Sequence, residues 1–403
     1  MKKIVIVSQF TSMPNENIGN SRAKTIIDFL LKQDEKYDIE LISTTFSHLY
    51  KEQREYKVKK EDKYKFTLLY EPGYRKNVSL KRFYSHYIFG KNLYKYLNNM
   101  EQRADVIYCL TPSLDAGKAC AKYAKKNNIR FIIDVQDIWP EAFKLVFNIP
   151  IMSDLIFYPM KKQANYIYIN ADDIVAVSDT YANIAVKVNN KYKNKLVAYL
   201  GTDLEYFDKC KEENRIEYND DIIRVAYIGT LGHSYDIKNI INAINILNHK
   251  GINNIKFIVM GNGPLKEEFE KYAKEKNVDV EFTGRLEYPK MIARLCACDI
   301  AVNPIAHNAA QSIINKVGDY AAAGLPVVST QECEEYRNLV NSYNVGYNCT
   351  NEDVNDIAEK IELLTQNKKL REELGKNNRK LAEEKFDRKI TYKQIVDLVK
   401  KND

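Results

Sequence analysis

A stretch with the sequence SIINKVGDYAAAGLPVVST combines residue types that could bind a phosphate and a sugar. If residues 313–323 form a helix, Ser312 is a suitable N-cap, and Asn315, Lys316 and Asp319 lie three to four residues apart on one face. The free amides of the first turn and the lysine would attract phosphate, and Asp319 would accept hydrogen bonds from hydroxyl groups. The alternative is an exposed Lys316–Asp319 ion pair on a helix whose alanines are small for packing.

Three turns in the second half of the chain join a strand to a helix. YIGTLG contains Gly229, Thr230 and Gly232, MGNGPL begins its turn at Gly261, and FTGRL places Arg285 just past a strand end. Glycines let the backbone approach a ligand and point its amides at phosphates, and an arginine could pair with one. The alternative is that the glycines only permit tight strand-to-helix turns and that Arg285 is a solvated loop residue, with no ligand at either.

In the first half, DVQDIWPEAF gathers three acids and the only tryptophan of the chain after an apolar strand: Asp134, Asp137, Glu141 and Trp139. Carboxylates beside a tryptophan at a strand end are typical of a polyol-binding or general-base site. The alternative is that Asp137 caps a helix and Trp139 lies in the core. Gly19 and Asn20, in the loop after the first strand, are expected at the same edge.

The elements that must position these residues alternate along the whole chain. Short β-branched runs occur at residues 4–8, 39–44, 66–70, 105–110, 131–135, 173–178, 223–229, 256–261, 280–284, 299–304 and 326–330. Helical patterns separate them, such as one with an apolar face at Ile237, Ile240, Ile241, Ile244 and Leu247. Strands that are apolar on both faces and separated by helices indicate parallel sheets covered on both sides. We therefore predict an α/β fold.

The length of 403 residues exceeds what one core usually supports and predicts two doubly wound domains. We expect a first domain at 1–205, a polar linker at 206–222, a second domain at 223–385, and a helix at 386–403 that could belong to either half. In such sheets ligands bind at the carboxyl ends of the strands, and a cleft between domains is the expected site.

The composition of the chain excludes several classes of protein and indicates where this one is expected in the cell. Seven cysteines without a CxxC pair argue against disulfides and zinc, and indicate the cytoplasm. The N-terminal apolar run is too short for a signal peptide, and no segment is apolar enough to span a membrane. The net charge of +7 is concentrated at residues 51–103, among many Tyr and Phe, which suits an anionic partner. No nucleic-acid motif accompanies it, so nucleic acid is not expected.

The chain resembles the retaining glycosyltransferases of family 4 over nearly its whole length. The resemblance rests on six stretches and on their order, which is DIWPE, YLGTDLEYF, YIGTLG, MGNGPL, FTGRL and SIINKVGDYAAAGLPVV. The similarity is greatest to the branch that builds bacterial capsule, O-antigen and exopolysaccharide. It implies the GT-B fold, in which two Rossmann-like domains face each other across a cleft. It also implies transfer of a hexosyl or N-acetylhexosaminyl group from a nucleotide diphosphate sugar, with no metal and no other cofactor.

The resemblance also assigns roles to single residues. Asp319 matches the acid that holds the donor ribose, whereas Gln311 stands where the family has a glutamate near the transferred sugar. Thr230 replaces an arginine that grips the pyrophosphate, and Lys316 with the helix amides is the substitute clamp. Asp137 takes the place of a histidine on the acceptor side. The implied donor site also includes Gly229, Gly232, Gly261, Arg285, Ser312 and Asn315; the acceptor site includes Gly19, Asn20, Asp134, Trp139 and Glu141.

The implied acceptor is a saccharide, commonly linked to a polyprenyl diphosphate, and residues 51–103 would then touch the inner face of the cell membrane. A solvated face with half-buried tyrosines is the alternative for that interval. Two other functions stay open. A sugar-nucleotide 2-epimerase of the same fold relies on histidines, of which this chain has five. A catalytically inactive partner or activator subunit would tolerate Gln311 and Thr230.

Overall fold

The computed structural model describes residues 1–13, 16, 21–33, 36–55, 63–77, 79–144, 152–309 and 312–401. It divides into two compact units. The first comprises Met1–Ala198 and Tyr392–Asp403, and the second comprises Tyr199–Thr391. Each unit is built around its own sheet.

The first unit contains a seven-stranded sheet in the order β5-β2-β1-β6-β7-β8-β9, with every neighbouring pair parallel. Its strands are β1 (Lys2–Val7), β2 (Tyr37–Thr44), β5 (Lys65–Leu69), β6 (Val106–Thr111), β7 (Arg130–Val135), β8 (Asp173–Ala176) and β9 (Asn194–Val197). A small antiparallel hairpin is formed by β3 (Phe46–Ser47) and β4 (Glu52–Gln53). Because β6 and β7 are buried along their whole length, they match the continuous apolar runs of the sequence.

The helices of the first unit connect these strands, as a parallel sheet requires. They are α1 (Arg22–Leu31), α2 (Leu80–Asn98), α3 (Leu114–Asn127), α4 (Glu141–Lys144), α5 (Met152–Ile169) and α6 (Asp179–Val186). Serine N-caps begin α1, α2, α3 and α6, each accepting a hydrogen bond from an amide of the first turn. None of the helices in the described part of the chain is both long enough and apolar enough to cross a membrane.

The second unit contains a six-stranded parallel sheet in the order β12-β11-β10-β13-β14-β15. Its strands are β10 (Ile223–Ile228), β11 (Ile255–Met260), β12 (Val280–Gly284), β13 (Ile300–Asn303), β14 (Val327–Ser329) and β15 (Gly346–Asn348). This is the order of a Rossmann sheet, whose direction of winding reverses between β10 and β13. Along β10, Val225 and Tyr227 enter one hydrophobic core while Ala226 and Ile228 enter the other, so both faces are covered.

The helices of the second unit pack on both faces of its sheet. They are α7 (Leu204–Glu213), α8 (Ile237–His249), α9 (Lys266–Glu275), α10 (Tyr288–Cys296), α11 (Lys316–Ala323), α12 (Glu334–Tyr343), α13 (Val354–Gln366) and α14 (Lys368–Leu381). A π-helical turn (Ala382–Phe386) follows α14, and α15 (Arg388–Lys400) begins in the second unit and ends in the first. The predicted apolar face of α8 is confirmed, because all five residues are buried. The prediction of an α/β fold is likewise confirmed.

The structure divides the chain at a different place from the predicted linker. The boundary falls between Ala198 and Tyr199, and the first part of the predicted linker 206–222 lies within α7. Leu204, Phe207 and Cys210 of that helix are buried in the core of the second unit. The polar composition of this segment reflects the exposed face of an amphipathic helix. The strands β9 and β15 were not predicted because their sequences, NKLV and GYN, are only partly buried and lack the continuous apolar run of the central strands.

Candidate functional site

The strand reversal of the second sheet is fixed by one buried tyrosine from α11. The hydroxyl of Tyr320 accepts a 3.0 Å hydrogen bond from the amide of Ile228 and donates a 3.1 Å bond to the carbonyl oxygen of Val302. These two residues belong to β10 and β13, the strands between which the winding reverses. The middle of α11 is therefore attached to the carboxyl edge of the sheet, where ligands of such folds bind.

Lys316, the first residue of α11, has a buried ammonium without a hydrogen-bond partner in the described residues. The side chain is only 8% exposed, and Nζ lies 4.0 Å from the ring centroid of Tyr227 and 3.7 Å from that of Tyr235. Burial lowers the pKa of Lys316 well below its usual range. The two aromatic faces favour the charged form of Lys316, and a bound anion would favour it further by supplying the missing opposite charge. The exposed Lys316–Asp319 pair considered above is excluded.

A buried polar network holds the segment that leads into Lys316. Gln331 donates from Nε2 to the carbonyl oxygen of Ser312 at 2.6 Å, and its Oε1 accepts from Asn303 at 3.0 Å. Asn303 also donates to Ser329 Oγ. In addition to Lys316 Nζ, Asn303 Oδ1 and Ser312 Oγ are buried without a hydrogen-bond partner in the described chain. This edge thus holds three unsatisfied polar atoms, which is typical of a ligand site.

Ser312 is not the N-cap that the sequence suggests. The helix begins at Lys316, and Asn315 occupies the cap position with helical backbone angles and no side-chain hydrogen bond. Asn315 itself is exposed. The amides of residues 313–316 donate no hydrogen bond to a described residue, so they remain available to a ligand, as the first turn of a helix often is.

Asp319 lies one turn further along α11 and has different neighbours from Lys316. Its Oδ1 accepts hydrogen bonds from Thr202 Oγ1 at 2.9 Å and from the hydroxyl of Tyr288 at 2.8 Å. Burial raises the pKa of Asp319, while these two hydrogen bonds act in the opposite direction. Its second carboxylate oxygen accepts no hydrogen bond from a described residue and could accept one from a hydroxyl of a ligand.

The glycine turn after β10 is close to Lys316 but is held by backbone bonds. A Cβ on Gly229, whose φ is +137°, would lie 2.9 Å from Lys316 Nζ, so a side chain here would displace the ammonium. The amides of Gly229 and Leu231 donate to the carbonyl oxygens of Met260 and Asn262. They are therefore not free to bind phosphate, which corrects the expectation that this turn offers all its amides.

The remaining donor-site candidates have simpler environments. A Cβ on Gly261 would lie 1.8 Å from the carbonyl oxygen of Gly229, so this glycine permits two turns to pack together. Thr230 is exposed, and a Cβ on Gly232 would make only an ordinary contact of 3.8 Å with the Thr230 methyl group. Arg285 follows β12, is exposed and forms no ion pair with a described carboxylate.

In the first unit, Asp134 is buried and fully paired. It is 0% exposed and accepts hydrogen bonds from Arg22 at 2.6 and 3.2 Å and from Tyr108 at 2.7 Å. A ligand cannot reach this carboxylate, so the expectation that Asp134 binds an acceptor is corrected. Because β7 is covered on both sides, its one acid requires a buried cation to offset the loss of hydration.

Asp137 lies at the same strand end and keeps partial exposure. Its carboxylate accepts from the amide of Ile138 at 2.9 Å and from Trp139 Nε1 at 3.2 Å, and burial raises its pKa. It does not cap α4, which begins four residues later at Glu141. Glu141 is half-buried. Asp137 therefore orients Trp139 and remains a candidate polar group at this edge.

Trp139 belongs to a cluster of rings around one arginine. It stacks on His86 with centroids 5.6 Å apart, and the guanidinium of Arg82 lies 4.8 Å from its ring centroid. His86 is 1% exposed, its Nε2 has no partner in the described chain, and burial lowers its pKa to about 3. A concavity of about 320 Å³ is lined by Trp139, His86 and Phe157 among others. Trp139 is thus both a core residue and part of a pocket wall.

Three predicted residues, Gly19, Asn20 and Gln311, lie outside the described residues. Conversely, sequence reasoning missed Tyr227, Tyr235, Gln331 and Asn303. Gln331 and Asn303 could have been found from their positions, because polar residues that end or follow apolar strands often face a ligand. The tyrosines gave no such signal, because aromatic residues in or near a strand usually belong to the core.

Comparison with known proteins bears on the second unit most directly. Residues 208–381 match the model of the family described as Glycosyl transferases group 1. The matched segment makes up less than half of the chain. It contains Lys316, Asp319 and the whole sheet of the second unit. A relative, the capsular polysaccharide biosynthesis glycosyltransferase CapM of Staphylococcus aureus, is 26% identical over 252 residues, which cover 60% of this chain and 63% of CapM. The alignment thus spans less than two thirds of that relative.

Solved structures resemble the chain over nearly its whole length. Sucrose-phosphate synthase of Thermosynechococcus elongatus superimposes with a TM-score of 0.72 at 15% identity, covering 99% of this chain and 98% of that chain. HepE of Anabaena in complex with UDP-glucose superimposes with a TM-score of 0.64 at 14% identity, covering 99% of both chains. These likenesses show the fold, and the prediction of two Rossmann-like domains of the GT-B type is confirmed.

Proposed function

We propose that this protein is a retaining glycosyltransferase that binds a nucleotide diphosphate sugar at the carboxyl edge of its second sheet. The observation that supports this most strongly is the buried, unpaired ammonium of Lys316 beside the free amides of residues 313–316. A buried cation without a carboxylate is destabilising unless a ligand supplies the opposite charge. A diphosphate supplies two negative groups of suitable size.

In the proposed reaction, the bond between the anomeric carbon and the diphosphate oxygen breaks. An acceptor hydroxyl attacks the same face, its oxygen bonds to the anomeric carbon, and its proton passes to the leaving diphosphate. Lys316 and the amides stabilise the charge that develops on this leaving group. Asp319 accepts hydrogen bonds from the ribose, and no metal is required. Asp137 is the proposed polar group on the acceptor side.

The chemistry of the relatives supports a role in cell-surface polysaccharide biosynthesis. CapM is described as a capsular polysaccharide glycosyltransferase, and the HepE structure contains UDP-glucose. We infer that the acceptor is a saccharide linked to a polyprenyl diphosphate, and that the basic segment 51–103 operates at the inner face of the cell membrane, on the cytoplasmic side. The transferred sugar is a hexose or an N-acetylhexosamine.

The test is hydrolysis of UDP-, GDP- and dTDP-sugars by the purified protein, with Lys316→Met as the loss variant. Lys238→Met is the matched control, because Lys238 is a partly exposed lysine of the same unit that pairs with Glu268. We expect turnover of one donor, a decrease of roughly 10²-fold or more in Lys316→Met, and an effect below threefold in the control.

The outcomes separate the alternatives. Turnover of Lys316→Met within threefold of the unsubstituted protein would remove the proposed role of this lysine. Binding of a nucleotide without turnover, with or without acceptor, would indicate an inactive partner subunit. Interconversion of the donor with its 2-epimer would indicate an epimerase.

A further inference from the structure

A second concavity in the first unit collects positive charge. It has a volume of about 540 Å³ and lies between the β3–β4 hairpin, the loop after β5 and the first residues of α2. Its lining includes four cationic side chains and one acidic one: Lys51, Arg75, Lys76, Lys81 and Glu52. We call this concavity the basic pocket. Its volume is in the range of small-ligand sites.

The positive charge of the basic pocket is not neutralised by nearby acids. Within the described chain, none of its four cations lies within 4.0 Å of a carboxylate oxygen, whereas the nearby Arg54 and Lys65 both form such pairs. Lys51 Nζ instead donates to Asn77 Oδ1 at 2.6 Å and lies 4.8 Å from the ring centroid of Tyr74. Burial and the charge of Arg82 both lower the pKa of Lys51. Crowded cations without counter-ions attract an anionic ligand.

The backbone adds to this field. Ser79 caps α2, its Oγ accepting from the amide of Arg82, and Ser79 and Lys81 both line the basic pocket. The positive end of a 19-residue helix therefore lies at the wall that carries Lys81. Phe46 and Tyr74, which are almost fully buried and whose rings lie 5.1 Å apart, also line the pocket. A ligand that carries negative charge matches this lining of cations and helix N-terminus.

We propose that the basic pocket binds the phosphate groups of a diphosphate ester, which in the proposed reaction is the acceptor. That this ester is the acceptor rests on the function proposed above. That the basic pocket binds a diphosphate ester rests only on the residues of the pocket. The pocket is connected to the ring cluster through Arg82, whose guanidinium lies 5.6 Å from the ring centroid of Tyr74 in the pocket lining and 4.8 Å from that of Trp139. A diphosphate bound there would leave its attached sugar near the ring cluster.

The test is titration of geranyl diphosphate and inorganic diphosphate into the full-length protein by calorimetry, in a Lys316→Met background that disables the candidate donor site. The pocket variant is Arg75→Ala/Lys76→Ala, two exposed cations. The control is Lys122→Ala/Lys125→Ala, two exposed cations on α3 with the same change in net charge. We expect the pocket variant to weaken geranyl diphosphate binding at least tenfold and the control less than twofold. Arg75→Lys/Lys76→Arg, which keeps the charge, should bind within threefold.

The proposal would be overturned if the pocket variant bound geranyl diphosphate as tightly as its parent. It would also be overturned if the control variant lost as much affinity as the pocket variant. A parallel sedimentation assay uses vesicles of phosphatidylglycerol and phosphatidylcholine. If the pocket variant loses vesicle binding but still binds geranyl diphosphate, the cations contact lipid headgroups and the proposal fails. Donor hydrolysis by the unsubstituted protein is scored separately, so a failed donor assay with intact pocket binding overturns only the proposed function.

Discussion

The side-chain amide of Gln331 donates a 2.6 Å hydrogen bond to the carbonyl oxygen of Ser312. This bond connects the residues that follow β14 to the segment that precedes Lys316. Since the other end of the same side chain accepts from Asn303, the last residue of β13, one buried glutamine ties two strand ends to the segment before α11. The position of the Lys316 ammonium therefore depends on a residue that does not contact it.

We predict that Gln331→Met weakens both the fold and the site. The substitution leaves the Ser312 carbonyl without its side-chain partner and removes one of the two hydrogen bonds of the Asn303 amide, which destabilises the protein by about 1–3 kcal/mol. The KM for the donor sugar should rise more than kcat falls, because the segment is mispositioned while Lys316 is unchanged. Thermal unfolding and donor kinetics check this. A normal KM with reduced stability would restrict Gln331 to a structural role.

A second prediction concerns the stability contribution of Lys316. A buried cation without a counter-ion is destabilising, and the aromatic contacts of Tyr227 and Tyr235 offset only part of this. We expect Lys316→Met, which keeps an unbranched side chain only one heavy atom shorter and removes the charge, to raise the Tm of the ligand-free protein by about 2 °C or more. A saturating nucleotide should stabilise the unsubstituted protein and not the variant. A lower Tm in Lys316→Met would show that the lysine serves packing.

Sequence reasoning was most successful where a regular pattern repeats. The runs around β1, β2, β6, β7, β10 and β11 were predicted to within two residues, because buried parallel strands are continuous apolar segments. The face of α8 followed from its helical period. Lys316 and Asp319 were singled out because their spacing on a helix is fixed by geometry, although the helix itself begins three residues later than predicted.

Tertiary pairing could not be predicted in the same way. Asp134 and Asp137 are three residues apart and look equivalent, yet only Asp134 meets a buried arginine, Arg22, from a distant helix. Likewise, Tyr227 reads as an ordinary core residue of β10, and its contact with Lys316 depends on how α11 docks on the sheet. Such partners are set by the fold as a whole, and local composition carries no trace of them.

A third prediction distinguishes the proposed contact of Asp319 with the donor ribose from its hydrogen bond with Tyr288. If the carboxylate holds the donor ribose, Asp319→Asn should reduce affinity for the nucleoside diphosphate about tenfold, the scale of one hydrogen bond to a charged group. Tyr288→Phe removes only the bond from the tyrosine hydroxyl and should change affinity less than threefold. Calorimetric titration of UDP, or of whichever nucleotide the donor assay selects, measures both. Equal effects would mean that Asp319 serves only the contacts with Thr202 and Tyr288.

The fourth prediction concerns acid stability and follows from His86. Burial first, then the charges of Arg82 and His48, lower the pKa of this imidazole to about 3 in the folded protein, against about 6.5 when unfolded. Between these values only the unfolded chain binds the proton. The stabilising contribution is therefore present above pH 6.5 and is lost as the pH falls below it.

His86→Phe keeps an aromatic ring against Trp139 and Phe10 but removes the titration. Between pH 7 and pH 5 the unsubstituted protein should lose about 2 kcal/mol more unfolding free energy than His86→Phe does, as expected for one proton. Urea denaturation at both values measures this difference, and His48, whose pKa is lowered to about 4, contributes equally to both proteins. If both proteins lost the same unfolding free energy between pH 7 and pH 5, His86 would be protonated in the folded state. Its ring cluster would then be open to solvent.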